Sequence, residues 1–424
     1  MDRRQFLGGA VAGAAMLGST SLASAGSAIG DFRRSQAVEL NRASFPRLAQ
    51  ERYLNAAGGT PLGLIAEQGL RRFEDFWRMG PAEGRGTDFT ATMNECRARF
   101  ARLIGALPEE IALVSCTKAG EQIVIDGIPD LRARGNPDLR TRGNVVTNDL
   151  HFTGSLHNLI GLRRGGMDVR IVRAADWKVS VDEMKEAIDA NTRLVCVSLV
   201  SNINGHVEAT RELAELAHAR GALLYADIIQ AAGIMPVDVR AMGIDFAACS
   251  SYKWLYGTHG AGFFYARKEL QGSALQDNMF PGHIRHNYPP WIQTAEDSVD
   301  EFVFAAPDDA SRYQPGHVSY LGYFAVNETL KAIQAYGVER LLQHSIALNQ
   351  GLHAKIDKDR YELITPDLAS TPIATYTIQN TEALAKRLED AGVTVSLASN
   401  RMRISPAIYN NEDDIDRLLF ALNG

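Results

Sequence analysis

The chain has 424 residues, 46% of them hydrophobic and 22% charged, an ordinary globular composition. A formal charge of −6 supplies no basic footprint for nucleic acid, so small molecules are the expected partners. Four scattered cysteines (Cys96, Cys116, Cys196 and Cys249) exclude a disulfide framework or a zinc ligand set, and no metal site is expected.

The amino terminus reads as an address and not as part of the fold. Arg3-Arg4 precedes Phe6-Leu7, a weakly apolar run from Gly8 to Ala23, and a small-residue cleavage signal, Ala23-Ser24-Ala25. That layout is a twin-arginine signal peptide over residues 1–25, which implies the twin-arginine export machinery as a partner and a periplasmic or secreted location. The run is too rich in Gly, Ser and Thr for a membrane span, so no membrane association is expected after cleavage. An N-terminal segment, 26–60, follows.

Short apolar runs then alternate with helical patterns. Strands are predicted at Ile111–Ser115, Asn144–Thr147, Asp168–Arg173, Arg193–Leu199, Ala222–Ala226, Asp245–Cys249 and Gly262–Tyr265. Leu213, Leu216 and Ala217 recur at helical spacing within Thr210–Arg220. Alternating strands and helices predict an α/β fold, a mainly parallel seven-stranded sheet in a large domain over 61–319. Helical periodicity over Gly322–Leu348, strands at Ile373–Ile378 and Arg401–Ser405, and helices at Thr381–Ala391 and Glu412–Leu422 predict a smaller α+β domain over 320–424. Ligands of such sheets lie beyond the carboxyl ends of the strands.

Polar residues stand at several of those ends. Lys253 follows the strand ending at Cys249; desolvation there lowers a lysine's pKa and makes it a nucleophile towards an aldehyde. Asp227, 26 residues earlier, follows another strand and suits a protonated ring nitrogen, or simply a helix cap. Gln230, one helical turn on, and Asn202, past a third strand, are placed to reach a ring oxygen. Thr117-Lys118-Ala119-Gly120 opens a helix after the first strand, an anion site fit for a phosphate or merely a tight turn.

Ala248-Cys249-Ser250-Ser251-Tyr252-Lys253-Trp254-Leu255-Tyr256-Gly257, continuing to Tyr265, resembles the lysine segment of the class V aminotransferase and cysteine-desulfurase superfamily, which includes isopenicillin N epimerase and kynureninase. Asp227-Ile228-Ile229-Gln230 is similar to its Asp-x-x-Gln signature and Val200-Ser201-Asn202 to its Asn motif. Tyr53–Leu62 and Arg403–Arg417 resemble its N-terminal loop and carboxyl-terminal signature. The resemblance implies pyridoxal-phosphate fold type I, with Lys253 as the Schiff-base lysine and Asp227 on the ring nitrogen. It implies Asn202 and Gln230 at the ring oxygen, and Thr117, Lys118, Ser250 and Tyr252 around the phosphate. Phe152 aligns with the aromatic residue that stacks on the ring, with His151 as second choice. Arg403, with Asn55, would grip the carboxylate of a small amino substrate. A homodimer is the family expectation.

Two departures matter. His317 stands where relatives carry a Thr that reaches the partner subunit's phosphate. No cysteine follows Cys249, whereas desulfurases need a mobile nucleophilic cysteine in the carboxyl-terminal lobe. Persulfide-forming desulfuration is therefore not expected. The sequence does not choose among the remaining reactions; the first expectation is transaminase-type, with epimerisation or carbon–sulfur lysis as alternatives. Around Asn278–Trp291, where His283, Arg285, His286 and Tyr288 cluster, the sequence reads equally as part of a substrate pocket for an anionic group or as a solvated loop.

Overall fold

A central sheet of seven strands is ordered β2-β8-β7-β6-β5-β3-β4, with only β8 antiparallel to its neighbours. The computed structural model describes residues 39–80, 89–131, 143–277, 285–286 and 304–423. The predicted signal, residues 1–25, and His283 and Tyr288 lie outside the described residues; of Arg285 and His286 only the backbone is described.

The described chain begins with β1 (Arg52–Tyr53), α1 (Leu64–Met79) and α2 (Phe89–Leu103). The sheet and its crossovers follow: β2 (Ile111–Val114), α3 (Thr117–Gly127), β3 (Asn144–Asn148), α4 (Thr153–Arg164), β4 (Asp168–Val172) and α5 (Val181–Ala187). Next come β5 (Thr192–Ser198), α6 (Thr210–His218), β6 (Leu223–Asp227), β7 (Phe246–Ser250) and β8 (Gly262–Ala266). After the short antiparallel pair β9 (Arg285–His286) and β10 (Phe304–Ala305) lie α7 (Tyr320–Tyr336) and α8 (Val338–Lys355). The chain ends with β11 (Ala374–Thr377), α9 (Thr381–Asp390), β12 (Val393–Thr394), β13 (Ser396–Ala398), β14 (Arg401–Ile404) and α10 (Glu412–Asn423).

Each predicted sheet strand is present, shifted by no more than a residue or two. The sheet strands β2, β3, β7 and β8 are buried along their whole length, which is why β2, β7 and β8 read as nearly continuous apolar runs rather than alternating ones, while β3 buries Asn144, Thr147 and Asn148 as well. The single helical stretch expected over Gly322–Leu348 is two helices. Gly337 breaks it at φ 94°, a backbone state that ends α7 and that an L side chain resists.

Among the described residues, two apolar cores position the site. One packs Val124, Leu194, Tyr225, Phe246 and Phe264 against the large sheet. The other lies under β11, β14 and α10, and it takes in Leu54. β1 pairs in parallel with β12, so the segment before α1 is tied to the carboxyl-terminal lobe.

Chain order reverses around β3: it runs outwards to β4, returns to β5 on the other side, and continues to β6 and β7. A crevice opens at such a reversal. The residues just past β3, β5 and β6 line it.

Candidate active site

Lys253 sits in the connection from β7 to β8, where the sheet's antiparallel hairpin forces a tight return. Its carbonyl accepts from the Tyr256 N–H at 2.9 Å and from Thr60 Oγ1 at 3.0 Å. Tyr256 holds φ at 53°, rare for a bulky residue, while its ring is wedged between Phe45 and Tyr409. The backbone that carries the lysine is thereby over-determined. Burial lowers the Lys253 amine to about 8, against an opposing pull from Asp227.

Asp227 closes β6, in register with Ser198 of β5. Its Oδ1 accepts from the Ile229 N–H at 3.0 Å, the local capping contact its position favours. Burial nevertheless pushes its carboxyl up to about 6.

No helix follows. Residues 228–235 are turns, so Gln230 is not one helical turn beyond Asp227 as the sequence suggested. Gly233, at φ 94°, lies so close to the Trp254 carbonyl that a β-carbon would come within 2.5 Å of it. Both ends of the Gln230 amide are engaged: Nε2 donates to the Ala57 carbonyl at 3.0 Å, and Oε1 accepts from Trp254 Nε1 at 2.9 Å. Gln230 is a strut between the N-terminal loop and the lysine segment.

Thr117 and Ser250 are interlocked across α3 and β7. The Thr117 N–H donates to Ser250 Oγ at 2.8 Å, and the Ser250 N–H to Thr117 Oγ1 at 2.9 Å. Gly120 lets the helix come this near, since a β-carbon there would lie 2.6 Å from Ala248 Cβ. The first-turn N–H groups of α3 carry its positive dipole end. Lys118 is not a solvated loop residue: its ammonium pairs with buried Glu121 at 2.9 Å, and Glu121 also accepts from Ser155 Oγ. Tyr252 stacks on His259 with ring centres 4.3 Å apart, and its carbonyl accepts from the Thr60 N–H at 2.9 Å.

The structure separates His151 from Phe152. Phe152 stands at the head of α4, 36% exposed. His151 is wholly buried, with Nδ1 2.9 Å from Ser198 Oγ, the residue facing Asp227 in register. Burial, helped by Lys118, lowers its imidazole to about 3, so the ring is neutral.

Arg403 projects from β14 towards the same place. Nη1 donates to the Asn202 carbonyl at 2.7 Å and Nη2 to Asn55 Oδ1 at 3.2 Å, while Nε is buried without a partner. Among the described residues it makes no ion pair. Burial, then Arg401, lowers it to about 10. Asn202 Oδ1 and His151 Nε2 are likewise buried with no partner among the described residues. Three orphaned polar atoms, on residues at or bonded to the ends of β3 and β5, are what a polar, ring-bearing cofactor and an anionic substrate would satisfy.

The sequence reading missed Thr60, Ala57 and Glu121. Glu121 was legible as an i,i+3 partner of Lys118. The loop at 57–60 lies within the Tyr53–Leu62 segment that the resemblance picked out, but nothing local showed that its contacts are to residues nearly two hundred positions away. His317 donates to or accepts from the Tyr320 hydroxyl at 2.7 Å and is exposed.

The family described as "Aminotransferase class-V" matches residues 81–418. The "Probable cysteine desulfurase" of Methanothermobacter thermautotrophicus is 31% identical over 77% of this chain and 76% of its own length. The "Uncharacterized aminotransferase YcbU" of Bacillus subtilis is 24% identical over 89% of this chain and 95% of its own. In structure, the cysteine desulfurase CsdA of Escherichia coli superposes with a TM-score of 0.75 at 19% identity, covering 90% of this chain and 96% of that one. A cysteine desulfurase of Thermococcus onnurineus NA1 gives 0.75 at 20%, covering 91% and 97%. These superpositions establish fold type I.

Proposed function

The chain belongs to the aminotransferase class-V family and is a pyridoxal-phosphate enzyme, and we propose that it acts on an α-amino carboxylate by transaminase-type chemistry after export. One observation carries the substrate class: the buried guanidinium of Arg403, its Nε unsatisfied, is held between Asn55 Oδ1 and the Asn202 carbonyl, on the turn past β5. A planar cation so placed suits a substrate carboxylate, with Asn55 holding its orientation.

Bound there, pyridoxal phosphate supplies an aldehyde for the lysine and an electron-withdrawing ring that stabilises negative charge at the substrate's α-carbon. Lys253 Nζ would hold the cofactor and, displaced by the substrate amine, act as the base for the α-proton. Asp227 would keep a proton on the ring nitrogen, and Asn202 would face the ring oxygen. Gln230 supports that edge from outside, its amide already engaged. Thr117, Ser250, Tyr252 and the N–H of Lys118 would hold the phosphate. His151, whose Nδ1 lies 2.9 Å from the Ser198 hydroxyl beside Asp227, would be the residue against the ring in preference to Phe152.

Carbon–sulfur lysis is the second reading, favoured by relatives named as cysteine desulfurases. A persulfide relay does not suit this chain: Cys96, Cys196 and Cys249 are buried, Cys116 starts α3, and none follows residue 249. The twin-arginine signal and the homodimer belong to the same proposal. Incubating holoenzyme with a panel of amino acids and 2-oxo acids tests it. Keto-acid exchange supports the reading; inversion without exchange, or release of sulfide and pyruvate, replaces it.

A further inference from the structure

Glu208 is a buried carboxylate that the proposed chemistry does not use. It lies in the loop between β5 and α6, fixed to the end of β5 by its own N–H, which donates to the Leu199 carbonyl at 2.9 Å. Its Oε1 accepts from Asn148 Nδ2 at 2.7 Å. The nearest basic group paired with it is His206, whose Nε2 is 3.8 Å away. Burying a carboxylate with so little compensation is unfavourable, so its hydrogen bond to Asn148 has to matter.

Asn148 ends β3, and its Oδ1 accepts from the Leu150 N–H at 3.2 Å. The Leu150 carbonyl accepts from Ser201 Oγ at 2.8 Å. Both peptide groups of Leu150 are therefore held by side chains anchored in or beside the Leu199–Glu208 loop, and the next residue is His151. Ser201 is next to Asn202, so one network braces the turn that carries the ring and the turn that carries the amide.

We infer that Glu208 is a positioning residue for His151, acting through Asn148 and the Leu150 peptide to fix the imidazole over the strand end of Asp227. The inference rests on the proposed place of His151 against the cofactor ring. Either the ionised or the neutral carboxyl can accept from Asn148, so a glutamine with the same Oε1 should serve.

The test compares Glu208→Leu, Glu208→Gln, Asn148→Ala, the Glu208→Leu/Asn148→Ala double variant and His151→Ala. Three quantities are read: the dissociation constant of pyridoxal 5′-phosphate from apoprotein, the visible circular-dichroism band of bound cofactor, and Tm. Glu208→Leu and Asn148→Ala should each weaken cofactor binding about tenfold and shift the band, with Glu208→Gln within about twofold of the parent. The double variant should lose no more than either single one, because the two residues share one path. If Glu208→Leu lowers only Tm while His151→Ala weakens binding, the positioning role is wrong and the stacking role stands. If His151→Ala itself leaves affinity and band unchanged, both fall. Should Glu208→Leu not fold, Asn148→Ala decides by the same readouts.

Discussion

Across 348 residues of sequence, Nη2 of Arg403 donates to Oδ1 of Asn55 at 3.2 Å. The pairing turns a flexible side chain into a fixed fork, because Nη1 is held at the same time by the Asn202 carbonyl. Asn55→Ala is expected to raise KM for an α-amino acid about 10-fold or more, since hydrogen bonds to charged groups contribute about 1.5–3 kcal/mol. An amine without a carboxylate should be unaffected. Equal losses on both substrates would show that Asn55 merely holds the loop together.

The carboxylate at the end of β6 should matter most to rate. Removing one member of a buried charged pair costs about 3–5 kcal/mol. At about 1.36 kcal/mol per decade, Asp227→Ala should slow turnover roughly 10²–10⁴-fold in steady-state assays. Near-normal turnover would remove Asp227 from the chemistry.

Cofactor loading should follow the state of Lys253. Its folded-state pKa is lowered by burial to about 8, so the amine is charged below that value and able to attack an aldehyde above it. The rate at which apoprotein takes up pyridoxal phosphate should rise through pH 8 and level off. The lysine's share of stability moves the same way: between about 8 and the exposed value of 10.5 the unfolded chain binds a proton that the folded chain has shed. The contribution of Lys253 to stability then rises with pH across that window, by the sign of the linkage relation, while the buried Cys96, Cys196 and Cys249 thiols, raised by burial, work the other way. A loading midpoint near 10 would place the amine in solvent.

Sulfur transfer through the protein offers a separate check. Cys116 is the single cysteine that is not fully buried. Cys116→Ser should keep most of the activity, and the intact mass of the chain after incubation with cysteine should show no added sulfur. Activity abolished by this one change would reinstate a thiol relay.

The contact between α3 and β7 has no room to spare. With Ala248 Cβ 2.6 Å from where a β-carbon on Gly120 would stand, Gly120→Ala forces the helix start away from the sheet. A loss of about 1–3 kcal/mol in denaturant titration is expected, together with weaker cofactor binding as the Thr117–Ser250 interlock opens. Unchanged stability would mean that α3 shifts freely.

Most of the sheet strands were legible in the sequence because a strand buried on both faces is largely apolar, and polar residues just beyond it then stand out. Lys253, Asp227, Asn202 and Thr117 showed themselves for that reason. Other features depended on distance in space and left no local trace. That His151 and not Phe152 meets Ser198 depended on the packing of separate strands, and the employment of Gln230 on a loop some 173 residues earlier in the chain. The pairing of Lys118 with Glu121 was open to the eye, but its burial was not. Periodicity records which residues leave water; which polar atoms meet once they have done so is decided only when the strands are laid side by side.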